Sequence, residues 1–318
     1  MKRFLFCCAA ALASLLALTS ASAAWAAPGG SAPAVAGRFL TITVPGSVVT
    51  EPNDISDSGL IVGCFRDQRG PARGFIERQG RFTAVNDPAA GQHALVTACP
   101  QGINRLGTIV GSFVASTGVS TGMRDRGGRF TSIRAPGAGA APGEGTFLSA
   151  INDAGVIGGF YIDARGVGHG FVLSGGKFKV VNAPHAGTSR FEGTLVTGVS
   201  DAGLVVGSYV DSRGVQHGFV LRGGTFTVIN HPHASALLGK GTFIGCVSLK
   251  TSELTGSYWP AAAPAHPSGF TFQSGQFRAL NDPAATAGTG PSCANDLGRV
   301  VGSYFVGRAL HGFEFIPR

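Results

Sequence analysis

The stretch that decides the fold runs from Ile151 to Pro184 and reads INDAGVIGGFYIDARGVGHGFVLSGGKFKVVNAP. It returns 48 residues later, from Val199 to Pro232, as VSDAGLVVGSYVDSRGVQHGFVLRGGTFTVINHP. The turn glycines, the His-Gly-Phe tripeptide and the closing proline stay in register between the two copies. One supersecondary unit has been duplicated, and a period of this length is typical of solenoids, propellers and other repeat arrays.

The unit occurs six times along the chain. Every copy has a glycine at the end of its second apolar run, and these glycines are Gly63, Gly111, Gly159, Gly207, Gly256 and Gly302. They follow one another at spacings of 48, 48, 48, 49 and 46 residues. A single unit of this size cannot bury its apolar faces alone, so we expect the copies to pack against one another.

Each copy predicts four short β-strands. In the fourth copy, runs of β-branched and aromatic residues cover Thr194–Val199, Leu204–Val210, His217–Leu221 and Thr225–Ile229. Turn residues separate these runs, with an Asn/Ser-Asp-x-Gly turn after the first run and paired glycines before the fourth. The unit is therefore predicted to be an up-and-down sheet of four strands.

The two ends of the chain complement each other. The last copy ends at Arg318, after its third run, and lacks the Gly-x-Phe fourth run. The segment Gly37–Pro45, GRFLTITVP, matches Gly176–Pro184 at Gly, Phe and Pro. The sequence predicts an all-β, six-bladed β-propeller of four-stranded blades, closed by the N-terminal strand, which leaves only short edges. A parallel β-helix or a six-unit sandwich array is the alternative.

The chain begins with a segment typical of export. Lys2 and Arg3 precede an apolar run from Phe4 to about Leu18, and small residues follow. We interpret residues 1–26 as a signal peptide, 27–36 as a short flexible segment and 37–318 as a single repeat domain. A membrane anchor is the alternative, although the run is shorter than the ~20 residues that a span needs. The predicted location is secreted or periplasmic, with no membrane span after signal removal.

Composition supports an exported all-β protein. The chain has 50 Gly and 17 Pro in 318 residues and only 13% charged residues, where ~25% is usual. Its net charge of +8 comes from basic residues scattered through the turns, without a Lys/Arg run or an aromatic platform. This pattern disfavours nucleic acid as a partner and is typical of a solvated surface. We expect a monomer.

The repeat N-D-x-G-x-(I/V)-x-G-x-(Y/F)-x-D-x-x-G-x-x-H-G-F resembles the HAF family of bacterial extracellular repeats, over residues 37–318. The family label comes from a His-Ala-Phe tripeptide, and here the middle residue is glycine, as in His169-Gly170-Phe171. The family's Trp and Asp-Leu-Gly endings are replaced by Gly-x-Phe and Asn-x-Pro. The resemblance implies an exported repeat protein and carries over no catalytic residue.

Repeated polar residues are interpreted as structural. His169, His217 and His311 occupy one position in successive copies, so a ring would separate them rather than gather them around an ion. We expect each to bond within its own blade. The aspartates of the Asp-x-Arg-Gly turns, such as Asp163 and Asp211, are expected to cap their own loops.

Residues that break the repeat are better candidates for binding. The fifth copy carries a longer loop, Tyr258–Pro267, which contains Trp259, the one tryptophan beyond the predicted signal. Connections on one face of a propeller would gather it with basic and histidine side chains: His266, His231, His233, His185 and Arg190. An exposed aromatic among polar groups suits a glycan or peptide ligand. The alternative is that Trp259 only covers its own proline-rich loop.

A catalytic centre has little support in the sequence. The first run of each copy would line the axis, and these runs carry almost no carboxylates; Glu51 and Asp54 are the exceptions. Signatures such as HExxH and Gly-x-Ser-x-Gly are missing. We predict a non-enzymatic binding or scaffold protein without a cofactor. A metal-dependent hydrolase or lyase that uses Glu51 and Asp54, or a structural envelope or adhesion protein, is the alternative.

Four cysteines follow the predicted signal, and an even number in an exported protein indicates disulfides. Cys246 and Cys293 lie at equivalent places in adjacent inner strands, and Cys64 and Cys99 belong to neighbouring copies. These two pairings are favoured, with free buried thiols as the alternative.

Overall fold

The computed structural model describes residues 34–91, 93–262 and 266–318. The predicted signal peptide, residues 1–26, and most of the segment 27–36 lie outside these ranges. Within them the chain forms 24 β-strands and one short 3-10 helix, Pro88–Ala90. No helix in the described ranges has the length and apolar character to cross a membrane. The prediction of an all-β fold is confirmed.

The strands of the first three units follow the first three repeats. Unit 1 comprises β2 Val49–Ile55, β3 Ile61–Arg66, β4 Arg73–Arg78 and β5 Arg81–Val85. Unit 2 comprises β6 Val96–Ile103, β7 Thr108–Val114, β8 Ser120–Arg126 and β9 Arg129–Ile133. Unit 3 comprises β10 Gly145–Ile151, β11 Ile157–Ile162, β12 Gly168–Ser174 and β13 Lys177–Val181.

The later units repeat this order, and the last one borrows a strand from the N-terminal end. Unit 4 comprises β14 Gly193–Val199, β15 Val205–Val210, β16 Gln216–Arg222 and β17 Thr225–Ile229, within a residue of the predicted runs. Unit 5 comprises β18 Thr242–Val247, β19 Leu254–Tyr258, β20 Ser268–Gln273 and β21 Gln276–Ala279. Unit 6 comprises β22 Thr289–Ala294, β23 Val300–Val306, β24 Ala309–Pro317 and β1 Gly37–Ile42.

Neighbouring strands within each unit are antiparallel, as the short turns require. The strand β1 is the outer partner of β24, with Gly37 opposite Pro317 and Ile42 opposite Gly312. The first and last units are also in contact, because Val49 of β2 pairs with Leu310 of β24. The N-terminal segment therefore occupies the place that the truncated last repeat leaves open.

The aromatic residue of the Gly-Phe pair is the centre of each unit's core. The six residues at this position are fully buried, and they are Phe75, Met123, Phe171, Phe219, Phe270 and Phe313. In unit 3 the ring of Phe178, from the Gly-x-Phe strand, packs edge-to-face on Phe171 at 5.0 Å. Burying such side chains contributes about 1.5–3 kcal/mol each, so this pair of positions explains much of the repeat pattern.

In every unit except unit 2, whose core residue is Met123, the glycine that marks the repeat lies against the core phenylalanine ring. A Cβ on Gly159 would lie 2.9 Å from the ring of Phe171 and 2.3 Å from the carbonyl oxygen of Phe147. Gly207 meets Phe219 in the same way at 3.0 Å. A close approach between strand backbone and aromatic ring, rather than a turn, explains why this position is glycine.

A threonine near the start of the inner strand ties consecutive units together. The backbone N–H of Ala183, at the end of unit 3, donates to the Thr194 hydroxyl of unit 4 at 2.9 Å. Ala135 and Thr146 form the same bond at 2.9 Å between units 2 and 3. These buried bonds join the end of one unit to the inner strand of the next.

Candidate functional site

The inner strand of every unit carries a β-bulge at the same place. The extra residue has no partner on the second strand of its unit, and at the six positions it is Asn53, Gln101, Ser149, Thr197, Gly245 and Ser292. All six line one cavity. A bulge re-aims the side chain that it frees. The repeat therefore builds a ring of one re-aimed residue per unit.

The cavity has a volume of about 350 Å³, which is at the small end of the ~300–1,000 Å³ range of ligand pockets. Phe147 and Phe243, half-buried in units 3 and 5, give it an aromatic side. Phe160 stacks behind Phe147 at 4.7 Å. Asn53 and Gln101, in units 1 and 2, give it an amide side. The cavity is thus amphipathic.

The bulged residues differ in whether their polar side-chain atoms form hydrogen bonds within the protein. The Asn53 amide donates to the carbonyl oxygen of Pro100 in unit 2 at 2.8 Å. The buried Thr197 hydroxyl donates to Ile244 in unit 5 at 2.8 Å. Within the described part of the chain, the hydroxyls of Ser149 and Ser292 have no hydrogen-bond partner in the protein. These two hydroxyls are available to a ligand.

The hairpin turns after the inner strands form the mouth of the cavity, and from unit 2 round to unit 1 successive turns are bonded to each other. The Asn152 amide donates to Ser200 of unit 4 at 3.1 Å, and the backbone N–H of Asp153 donates to the Asp201 carboxylate at 2.9 Å. Asn295 and Ser56 join unit 6 to unit 1 in the same way at 3.0 Å. The Asn and Asp residues therefore bond the neighbouring turn as well as their own.

Four carboxylates line the cavity, and three of them are paired with a cation. At the mouth, Arg105 pairs with Asp153 at 3.0 Å. Lys250 lies 3.8 Å from Asp57 and 3.7 Å from Asp296. The fourth carboxylate is Asp54, deeper in the wall, where its two oxygens accept the backbone N–H groups of Ile55 and Ile103, each at 2.8 Å.

Burial sets the ionisation of the two inner-strand carboxyls. Desolvation raises the pKa of Asp54 to about 7, against the backbone N–H groups of Ile103 and Ile55, which lower it. Desolvation likewise raises the pKa of Glu51 to about 7, against the charge of Arg66. Asp54 lines the cavity and Glu51 is not among its lining residues. In residues 34–91, 93–262 and 266–318, no three His, Cys, Asp or Glu side chains are grouped to hold a metal.

One cystine forms part of the cavity wall. Cys246 and Cys293 are bonded, with Cα atoms 5.2 Å apart, and both line the cavity. Cys64 and Cys99 form the second disulfide, with the same Cα separation of 5.2 Å. Both favoured pairings are confirmed. Cys246 and Cys293 join the adjacent inner strands β18 and β22, whereas Cys64 lies in the second strand of unit 1, β3, and bonds the inner strand β6 of unit 2.

Two of the candidate loop residues lie where the connection between units 4 and 5 meets the long loop of unit 5. Trp259 is half-buried, its carbonyl accepts the Ser235 N–H at 2.7 Å, and the Lys240 ammonium lies 5.7 Å from its ring. His233 is exposed, and its carbonyl accepts the Ala261 N–H at 3.1 Å. Trp259 therefore contacts the connection between units 4 and 5. A ligand role for it stays a prediction.

His231 lies in the core rather than on the surface expected for a ligand contact. Its ring is 5% exposed and stacks on Tyr258 at 3.6 Å. Its Nδ1 accepts the backbone N–H of His233 at 3.2 Å. Burial, with the nearby His233, lowers the pKa of His231 to about 4. The neutral ring fills the place that alanine takes at Ala183.

The other candidates are exposed in different connections. His185 and Arg190 lie between units 3 and 4, where the Arg190 guanidinium sits 5.0 Å from the ring of Phe191. His266 lies in the loop that precedes β20. None of the candidate loop residues lines the axial cavity.

The repeated histidines bond within their own units, as expected. In unit 4, His217 lies 3.3 Å from Asp211 and 3.0 Å from the Asn230 amide, and it stacks on Tyr209. The Asp211 carboxylate caps its loop by accepting from Val215 at 2.9 Å. Although desolvation raises the pKa of Asp211, these hydrogen bonds and Arg213 hold it at about 2.

No family model matches the sequence, and no curated protein matches it. Among solved structures, a protein of unknown function from Dyadobacter fermentans is similar with a TM-score of 0.52 and 14% identity, over 90% of this chain and 100% of that one. TolB from Acinetobacter baumannii is similar with a TM-score of 0.51 and 12% identity, over 84% of this chain and 65% of TolB. The Aleuria aurantia lectin in complex with Fucα1-6GlcNAc has a TM-score of 0.48 and 12% identity, over 87% of this chain and 98% of the lectin. The first two similarities show the fold alone.

Proposed function

We propose that this chain is an exported, non-enzymatic six-bladed β-propeller that binds a small glycan in its axial cavity. The observation that carries the proposal is the ring of bulged inner-strand residues around one amphipathic cavity. The two disulfides support export, because such bonds persist in oxidising compartments. A role as a monomeric relative of HAF-type extracellular repeat proteins fits the same architecture.

The two sides of the cavity match the two kinds of surface on a sugar. A pyranose has an apolar C–H face and a rim of hydroxyl groups. In a six-unit ring, units 3 and 5 flank the unit opposite unit 1, so Phe147 and Phe243 lie across the axis from Asn53. A sugar would stack on the phenyl rings and bond the amides and serine hydroxyls. An extended peptide would need a longer groove than a closed cavity of about 350 Å³ provides.

A cavity-filling variant tests the location of the site. Ser149 lies on the bulge ring and is half-buried, so Ser149→Phe places a phenyl ring in the space proposed for the ligand. Trp259→Ala is the matched control, because it changes the long-loop surface and leaves the cavity intact. Mature protein is screened against mono- and disaccharides by thermal shift, since a ligand at a hundred times its Kd stabilises by about 2.7 kcal/mol.

We expect a sugar to shift the melting midpoint of the parent protein and of Trp259→Ala, and not that of Ser149→Phe. Both variants must first melt cooperatively without ligand. A shift that survives Ser149→Phe and disappears in Trp259→Ala would move the site to the long-loop face. A flat screen with the parent protein would overturn the glycan proposal.

A further inference from the structure

We propose that the glycan bound in the axial cavity carries a positively charged amino group, with Asp54 as its counter-ion. This inference deepens the proposed function and rests on it. The starting point is a difference among the four lining carboxylates, of which Asp57, Asp153 and Asp296 pair with Lys250 or Arg105. In the described part of the chain, Asp54 has no such ion pair, and its two carboxylate oxygens accept backbone N–H groups.

The two backbone bonds fix the direction of the Asp54 carboxylate. One oxygen accepts Ile55 of its own strand and the other accepts Ile103 of unit 2, each at 2.8 Å. Each carboxylate oxygen has a further lone pair, so an ammonium group can still bind. A fixed acceptor loses little side-chain entropy when it takes a ligand, which favours a specific contact.

An unpaired carboxylate in a half-buried wall is costly to ionise, and the raised pKa of Asp54, about 7, reflects this cost. A cation from the ligand would offset the cost. Cationic charge also suits the rest of the cavity, because its lining residues include four carboxylates and one guanidinium. The aromatic side at Phe147 and Phe243 adds cation–π attraction for an amino sugar, which a carboxylated sugar would not gain.

Charge on the sugar is the single variable to test. We would measure binding of three β-1,4-linked disaccharides by calorimetry: one of glucosamine, its N-acetylated form, and cellobiose, which has neither amine nor amide. Glu51→Gln is the matched control for Asp54→Asn. Glu51 has an equally raised pKa in the same strand, faces the charge of Arg66, and does not line the cavity.

We expect the glucosamine disaccharide to bind at least tenfold more tightly than the two neutral sugars at pH 7.5. Asp54→Asn should remove this preference, and Glu51→Gln should keep it. A pH series on the parent protein needs no variant: the preference should fade between pH 7.5 and 5.5, as Asp54 takes up a proton. The other charged groups at the cavity and its mouth are Asp57, Asp153, Asp296, Arg105 and Lys250, and all five take part in ion pairs.

Equal binding of all three sugars would overturn this inference and leave the proposed function standing. A preference that survives both Asp54→Asn and acid pH would overturn it as well. No binding by any of the three sugars, together with a flat thermal-shift screen, would overturn the proposed function itself.

Discussion

The ring of Phe39, near the N-terminal end, lies 5.3 Å from the ring of Phe313, near the C-terminal end, in an edge-to-face contact. The geometry matches that of Phe178 on Phe171, at 5.0 Å, inside unit 3. Two residues that are 274 positions apart in sequence thus form the contact that a single repeat makes locally. The N-terminal strand performs the structural work of a fourth strand in the last unit.

We predict that Phe39→Ala destabilises the protein by about 2–3 kcal/mol, because it removes a half-buried ring that packs on two buried ones. Urea unfolding gives the free energy directly. Leu40→Ala, at a neighbouring residue with 39% exposure, is the control and should cost less than ~1 kcal/mol. Equal effects of the two variants would contradict the packing role of β1.

Removing the Cys246–Cys293 disulfide should lower the free energy of unfolding by about 3–4 kcal/mol. The bond closes a segment with a sequence separation of 47, and loss of such a cross-link frees the unfolded chain. The measurement is the urea midpoint of the double variant Cys246→Ala/Cys293→Ala. Dithiothreitol should lower the parent midpoint further, since it also opens Cys64–Cys99. A midpoint unchanged by the double variant would refute the prediction.

Asp54 should make the folded state less stable as the pH rises. Its pKa is raised in the folded state, so its favourable contribution is complete at pH 4 and is lost as the pH passes about 7. A shift of about three units corresponds to ~4 kcal/mol, and access of water to the cavity wall reduces the expected effect to about 1–2 kcal/mol. Asp54→Asn should remove this pH dependence. The test compares the stability difference between pH 5 and pH 8 in the two proteins, because any constant cost of the substitution cancels.

His231 should make the folded state less stable as the pH falls, which is opposite to the effect of Asp54. Its pKa is lowered to about 4 in the folded state, so its contribution is present above pH 6.5 and is lost as the pH falls toward 4. We expect an acid sensitivity of about 2 kcal/mol over this interval, which His231→Ala abolishes. The exposed His233 is the control position, and His233→Ala should leave the sensitivity in place. Thermal melts at several pH values measure both.

The strand order could be predicted from the sequence because the repeat displays it six times. Offsets of 46 to 49 residues locate each turn and each Gly-Phe pair, and the missing fourth run at Arg318 points to Gly37–Pro45. The cysteine pairing followed from the same alignment, since Cys246 and Cys293 occupy one repeat position. In these cases, aligning the repeats shows which residues that are distant in sequence lie close together in the fold.

The cavity could not be predicted, because a bulge leaves almost no mark on sequence. Period-two alternation gives each inner-strand residue one of two faces, and the extra residue at Ser149 or Thr197 shifts that assignment without a residue type that all six copies share. The signal that was available is polarity: the bulge position is polar in five of the six copies, although the residues beside it vary as well. His231 was misplaced for a related reason, since a histidine in a loop was expected to reach solvent and instead replaces a core alanine.

The bulge has an evolutionary consequence. At other strand positions a substitution disturbs either the backbone hydrogen bonds of the sheet or a packed ring such as Phe171. Substitutions there therefore lower the stability of the fold. The bulged residue belongs to neither network, and where its side chain does not bond the next unit, as at Ser149 and Ser292, a substitution should cost little stability. Six such positions, from Asn53 to Ser292, line one cavity, and their side chains can be combined in many ways. Single substitutions at these positions could therefore change the binding specificity of the cavity while the fold stays the same.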